Sequence, residues 1–247
     1  MDWNFTRETF LSLASAIPLT LVLAANSIGF GCVLALGLAL ARLSPFAPLR
    51  LFAQAYVFVF RGTPLLVQIF LIYYGLSQFP AIRHSPLWAV LREPYWCAVL
   101  ALSLNTAAYS SEILRGGLLS VPAGQVEAAR ACGMPRFMLF RRIVMPLALR
   151  QALPGYGNEM IAMVKATSLA SIITLMEVTG VAARIISETY RAIEVFIVAG
   201  AIYLTINFLL TRLVQFIEFR LSPHLRQPKP VLAPTSQSAS ISPGEAR

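Results

Sequence analysis

Charge is scarce in this chain, and acidic charge scarcest. Its 247 residues hold 11 Asp and Glu against 20 Lys and Arg, and only 13% are charged. With 57% hydrophobic residues, a soluble domain of this length could not hide its apolar surface. Histidine is almost absent: His84 and His224 lie far apart in loop-like contexts, which excludes a histidine-based metal or catalytic site. The three cysteines, Cys32, Cys97 and Cys132, form no CxxC or Cys/His cluster, so two of them read as small hydrophobes in apolar runs. No paired carboxylates or Ser/His constellation stands at membrane depth, as an intramembrane enzyme would need. A GxxxxGK[ST] phosphate loop is missing too, so nucleotide hydrolysis is not expected of this chain. There is no internal repeat of the kind that builds inverted-repeat transporters. MDWNFTRETF lacks the basic start of a signal peptide, so the first apolar run is expected to remain as a span.

Long apolar runs are plentiful. Five are read as spans, at about 18–41, 62–79, 95–115, 152–175 and 195–217. Each is long enough, at ~1.5 Å per residue, to cross a ~30 Å hydrocarbon core. Thr63-Pro64 suits an N-cap and first helical position for the second. The segment 46–60 stays open, as an interfacial helix or an inward extension of that span that would bury Arg61. Trp3, Trp88, Trp96 and Tyr95 fall near span ends and read as interfacial anchors.

Basic residues fix the orientation. Thirteen cluster on one side of the five spans, in loop 42–50, loop 115–150 and the C-terminal tail. Arg7, Arg83, Arg92, Arg184 and Arg191 lie on the other, with Arg61 and Lys165 left as boundary or intramembrane groups. The positive-inside rule then puts the N-terminus outside and the C-terminus in the cytoplasm. In this setting the formal net charge of +9 marks cytoplasmic loops, not a nucleic-acid partner. Residues 1–17 become an external N-terminal segment and 18–220 the membrane domain. The Pro/Ser-rich stretch 221–247 is expected to be a disordered tail.

The basic loop at about 121–150 is full of helix punctuation. Glu127 to Cys132 reads as a short helix with a carboxylate in its first turn, ended by Gly133 at φ > 0. Pro135 then opens a second helix over 136–143, and Pro146 breaks the chain before the fourth span. Phe137, Met138 and Phe140 offer apolar bulk to a partner's groove. The alternative is an ordinary basic loop held to anionic lipid by its arginines. Glu127 either makes a charge-assisted contact or caps its own helix.

At membrane depth, where polar groups are costly, stand Asn105, Glu112, Glu159, Lys165, Thr167 and Ser168. These are the candidate substrate path. Each also has a plainer role. Glu112 can pair with Arg115, and Asn105 can hydrogen-bond between helices. Lys165 can meet a substrate carboxylate, Glu159 or another subunit's carboxylate. Thr167 and Ser168 can bond back to their own helix.

Glu127-Ala128-Ala129, Gly133 and Ile143-Val144-Met145-Pro146 fall at the spacing EAA-x3-G-x9-I-x-L-P, with methionine where leucine is usual. This resembles the signature of bacterial ABC importer permeases. Arg61 to Gln68, the stretch 107–117 and Val164 to Leu169 are similar to the polar amino-acid subfamily, nearest its M-type histidine, octopine and nopaline subunits. The resemblance spans about 15–220. It implies an all-α type I importer permease of about five spans in the bacterial inner membrane. An ATP-binding subunit carrying ATP and Mg2+, a sister permease and a periplasmic amino-acid-binding protein would be its partners. The cargo would be a polar, basic amino acid or opine. Glu127, Ala128, Ala129, Gly133, Phe137, Phe140 and Pro146 would form the surface coupled to the ATPase. The rival expectation is a secondary transporter or channel without an ATPase.

Overall fold

The computed structural model describes residues 2–221, and all regular structure among them is helical. The tail over 222–247 lies outside the described residues. α1 (Trp3–Ser15) and α2 (Ile17–Arg42) follow each other with a single break at Ala16. Together they run 40 residues, about 60 Å at the helical rise, roughly twice the hydrocarbon thickness. Most of the N-terminal segment ahead of the expected first span is therefore helix. It packs through Leu13 and Ala16 against Val178, Val195 and Val198. Arg191 stacks 4.4 Å over the Phe5 ring and fastens its outer end.

α3 (Ala47–Gly62) and α4 (Leu65–Phe70, continued by irregular turns to Gln78) meet at 106°. The ambiguous segment 46–60 is thus a full helix, bent sharply from the one after it. Proline explains the corner. Pro64 biases the residue before it away from helix, and Thr63 sits at φ −114°, ψ 144°. Pro64 is itself extended at ψ 134°, so it caps α4, and the helix starts one residue later than the sequence suggested. Thr63 serves as the C-cap of α3 instead. The carbonyls freed by the bend need partners. Gln68 Nε2 donates to Phe60 O at 2.8 Å and to Thr63 O at 3.1 Å, while Gln68 Oε1 accepts from Asn105 Nδ2 at 2.9 Å. Gln68→Leu should leave those part-buried acceptors and the buried Asn105 amide short of partners, at a cost of about 1–3 kcal/mol. A thermal melt in detergent should read this as an apparent Tm several degrees lower; an unchanged Tm would mean that the bend does not need this side chain.

Two short helices, α5 (Pro80–Arg83) and α6 (Trp88–Leu91), lead into α7 (Pro94–Leu119), the central helix. Of its most apolar window 72% is buried, against 28% for α1–α2 and 22% for the last helix. Small residues make this possible. Ser27, Gly31, Ala35 and Ala39 recur every fourth position on α2 and are all buried, letting the two backbones approach closely. A Cβ at Gly31 would strike the Thr106 methyl. Tyr95 is a strut within this pair, not merely an anchor: its hydroxyl accepts from Asn26 Nδ2 at 2.7 Å. At the far end of the pair, the Glu112 carboxylate bonds both Arg42 of α2 and, at 2.9 Å, Arg115 of its own helix.

α8 (Ala123–Ala131) and α9 (Arg136–Leu139) form the loop insert. α9 passes through a π turn, Phe140–Val144, into α10 (Met145–Ala166) and then a 3-10 segment, Thr167–Ile173. Pro146 does not break the chain here. A proline ring clashes with the carbonyl four residues back, and the wider π turn just upstream relieves that clash. One continuous helical run results, Arg136–Ile173, bent by 46° from α11 (Val178–Thr189). α12 (Ala192–Leu221) closes the bundle. Among the described residues three helices are long and apolar enough to span, and counting each bent pair once gives five, the number the sequence suggested.

Candidate functional site

The insert is an exposed knob with a defined corner. Gly133 sits at φ +73° and closes α8 in a Schellman arrangement. Gly133 N donates to Arg130 O at 2.9 Å, and Met134 N to Ala129 O at 3.1 Å. Pro135 caps α9 from an extended conformation, one position before the expected helix start. Ala129 and Leu139 turn inward and are buried. Phe137 is 75% exposed and Met138 38%, while Phe140 is half-buried. Ala128, Ala129, Cys132 and Pro146 line a groove of about 550 Å³ between α8 and α10, with Arg142 and Arg150 at its edge.

Glu127 does not cap its helix, which begins at Ala123 and so places the carboxylate beyond the first turn. It is exposed and makes no hydrogen bond or ion pair among the described residues. The same holds for Arg130, Arg136, Arg141, Arg142 and Arg150. An unpartnered carboxylate, five unpartnered guanidinium groups and an uncovered Phe137 make this a surface open to a partner.

The candidate path residues do not converge on one pocket. Asn105 is buried and bonded to Gln68, so it braces the α3–α4 corner. Glu112 is held by Arg115 as expected, and also by Arg42, which the sequence did not suggest. Thr167 Oγ1 and Ser168 Oγ donate back to Val164 O and Lys165 O, each at 2.7 Å. Lys165 is exposed and not paired with Glu159. Six residues of helix place the two about 120° apart around the axis, on different faces.

Glu159 accepts from Thr106 Oγ1 at 2.6 Å. Thr106 lies halfway along α7, against Gly31 midway along α2, so this contact marks the middle of the bundle. Arg61 is at the same level: its guanidinium lies 5.0 Å from the centre of the Tyr109 ring. Arg61 to Pro64 are all exposed there. The sequence left Arg61 open as a boundary or intramembrane group, because nothing local announces the 106° corner that lowers this helix end to mid-depth.

Glu177 was missed as well. It is fully buried, accepts from Gly180 N at 2.9 Å and from the Tyr203 hydroxyl at 2.6 Å, and so caps α11 and ties it to α12. Thr174, at φ 67°, stores strain just before it, since a β-branched residue disfavours the left-handed region.

Residues 28–223 match the family of binding-protein-dependent transport system inner membrane components. The chain belongs to that family. It is a permease component of an ABC importer, a multi-pass protein of the inner membrane. Among its relatives, the octopine transport system permease protein OccM of Rhizobium meliloti is 65% identical over 226 residues, 92% of each chain. The nopaline transport system permease protein NocM of Agrobacterium fabrum is 56% identical over 227 residues, covering 92% of this permease and 94% of the relative. The solved structure of an amino acid ABC transporter with histidines superposes with a TM-score of 0.78 at 35% identity, over 89% of this chain and 99% of that one. An inward-facing structure of the MetNI methionine ABC transporter shares the fold, with a TM-score of 0.67 over 87% and 96% of the two chains, at 19% identity.

Proposed function

We propose that this permease imports guanidinium-bearing amino acids and their opine derivatives. Its relatives are named for octopine, nopaline and arginine transport. In this reading the knob is seated in a cleft of a separate ATP-binding subunit, which holds ATP and Mg2+. Glu127, Ala128, Ala129, Gly133, Phe137, Phe140 and Pro146 form the contact surface. A periplasmic binding protein delivers cargo, and a sister permease completes a heterodimer. The N-terminus faces the periplasm and the C-terminus the cytoplasm, in line with the side on which the cations cluster. ATP binding closes the ATPases and moves the knobs. The work done on the spans is limited to the difference in affinity between their inward- and outward-open states.

The observation that carries this reading is the uncovered knob with its left-handed glycine corner. The corner has open space around a would-be Cβ, so only backbone strain resists substitution. Asparagine tolerates a left-handed conformation and valine does not. Gly133→Asn should therefore keep the ATPase in a membrane pull-down, whereas Gly133→Val, still inserted, should lose most of it. ATPase retained equally by both variants, or absent from the wild type, sinks the proposal and restores a transporter that runs without ATP.

A further inference from the structure

On the knob side of the bundle lies a second cavity, and it is unsuited to polar cargo. It has a volume of about 420 Å³ and sits between α2, α7 and α10. Cys32, Leu114, Leu149, Leu153 and Tyr156 form its wall. The buried cluster of Ala35, Ala39, Leu114 and Ala152 backs it. Cys32 and Tyr156 are hydrogen-bonded to each other, so their polar tips need no ligand. A zwitterion would lose its hydration here and gain little in return. Leu149 is 49% exposed, so the cavity opens to its surroundings.

The depth of the cavity matches one leaflet. From Pro146 to Tyr156, α10 advances about 15 Å along its axis. Cys32 stands about as far inside from Arg42, which ends α2 on the same side. That is about half of a ~30 Å hydrocarbon core. Arg150 lines the cavity towards its knob end and also edges the groove between α8 and α10, beside Arg142. Both guanidinium groups are exposed, and neither has an acid or hydrogen-bond partner among the described residues. A guanidinium at a membrane surface attracts anions, and its planar fork suits a phosphate.

We propose that this cavity holds one acyl chain of an anionic phospholipid from the knob-side leaflet, with the phosphate on Arg150. The chain runs from Pro146 towards Tyr156, and Arg142 adds to the attraction on the headgroup. A free phosphate would leave the apolar wall bare, and a neutral lipid would leave Arg150 without its anion. The larger apolar groove between α2 and α12, which includes Leu21, Ile28 and Leu209, has no cation in its lining and so no means of choosing a headgroup. The bound phosphate stands just past the π turn that joins the knob to α10, so the lipid steadies that joint.

This inference takes only the side of the membrane from the importer reading, and its test separates the two. The purified permease complex, stripped of lipid in detergent, is titrated with dioleoyl phosphatidylglycerol and with dioleoyl phosphatidylcholine. Native mass spectrometry counts the lipid bound. One guanidinium should favour the anionic lipid about fivefold. Arg150→Gln should remove that preference and leave phosphatidylcholine binding unchanged. Leu153→Trp, which fills the cavity, should weaken both lipids. Arg136→Gln, on the knob but outside the cavity, should change neither. Glycerol phosphate, a head without chains, should not compete. No preference in the wild type overturns the proposal. Equal loss in Arg150→Gln and Arg136→Gln also overturns it, leaving only diffuse attraction to a basic surface. Full displacement by glycerol phosphate would make this a free-phosphate site instead. Lipid that binds the separated permease but is excluded from the assembled complex would give the cavity to a second permease chain, and the proposal falls. A permease that keeps the preference yet brings down no ATPase would overturn the importer reading and leave the lipid site standing.

Discussion

Glu112→Ala is expected to lower stability by about 2–3 kcal/mol. Among the described residues Glu112 is the only carboxylate bonded to Arg42 and Arg115, and its side chain is 19% exposed, as is that of Arg42. Removing one member of a fully buried pair costs about 3–5 kcal/mol, and an exposed pair is worth about 0–1. A triad with a fifth of its surface wet falls between. The damage would concentrate at one end of the α2–α7 pair, where two guanidinium groups would be left facing each other. Melting curves in detergent would show a drop in Tm, and Glu112→Ala combined with Arg42→Met should recover much of it. If the single variant melts with the wild type, the triad is only decoration.

Gly117→Ala should cost about 1–3 kcal/mol, and larger residues more, because its Cβ would lie 2.5 Å from Ala148 O and 3.1 Å from Ala152 Cβ. The nearer atom is backbone, so relief requires α7 and α10 to separate. Gly116 supplies an internal control. It has open space around it, so Gly116→Ala should be neutral or gain up to about 1 kcal/mol of helix propensity. Transport should follow the same order, since α10 is continuous with the α9 arm of the knob. Uptake that fails in both variants alike would point to something other than this contact.

How far the sequence could be read depended on where the deciding interaction lay. Long apolar runs announce spans without help, because the bilayer imposes one length scale. Gly133 announced its own corner because a left-handed residue is a local requirement that glycine meets. Pro146 misled for a matching reason. Its ring predicts a break locally, but the π turn over Phe140–Val144 absorbs the clash. Arg61 stayed open between boundary and membrane interior because the corner that lowers it has no local signal, and Glu177 was missed because contacts with Gly180 and Tyr203 bury it. The Arg42 bond to Glu112 joins residues 70 positions apart, and no spacing rule reaches that far. Lys165 and Glu159 were suggested as a pair by opposite charge alone, and helical phase kept them apart.

The unbroken run from Arg136 has a mechanical consequence. It is held closely at two points, at Ala148 by Gly117 of α7 and at Gly157 by Val214 of α12. These stand about 18 Å and about 32 Å along the axis from Arg136. A rod clamped twice cannot rock about either point alone, so sideways travel of the knob has to carry α7 and α12 with it instead of swinging the middle of α10 by itself.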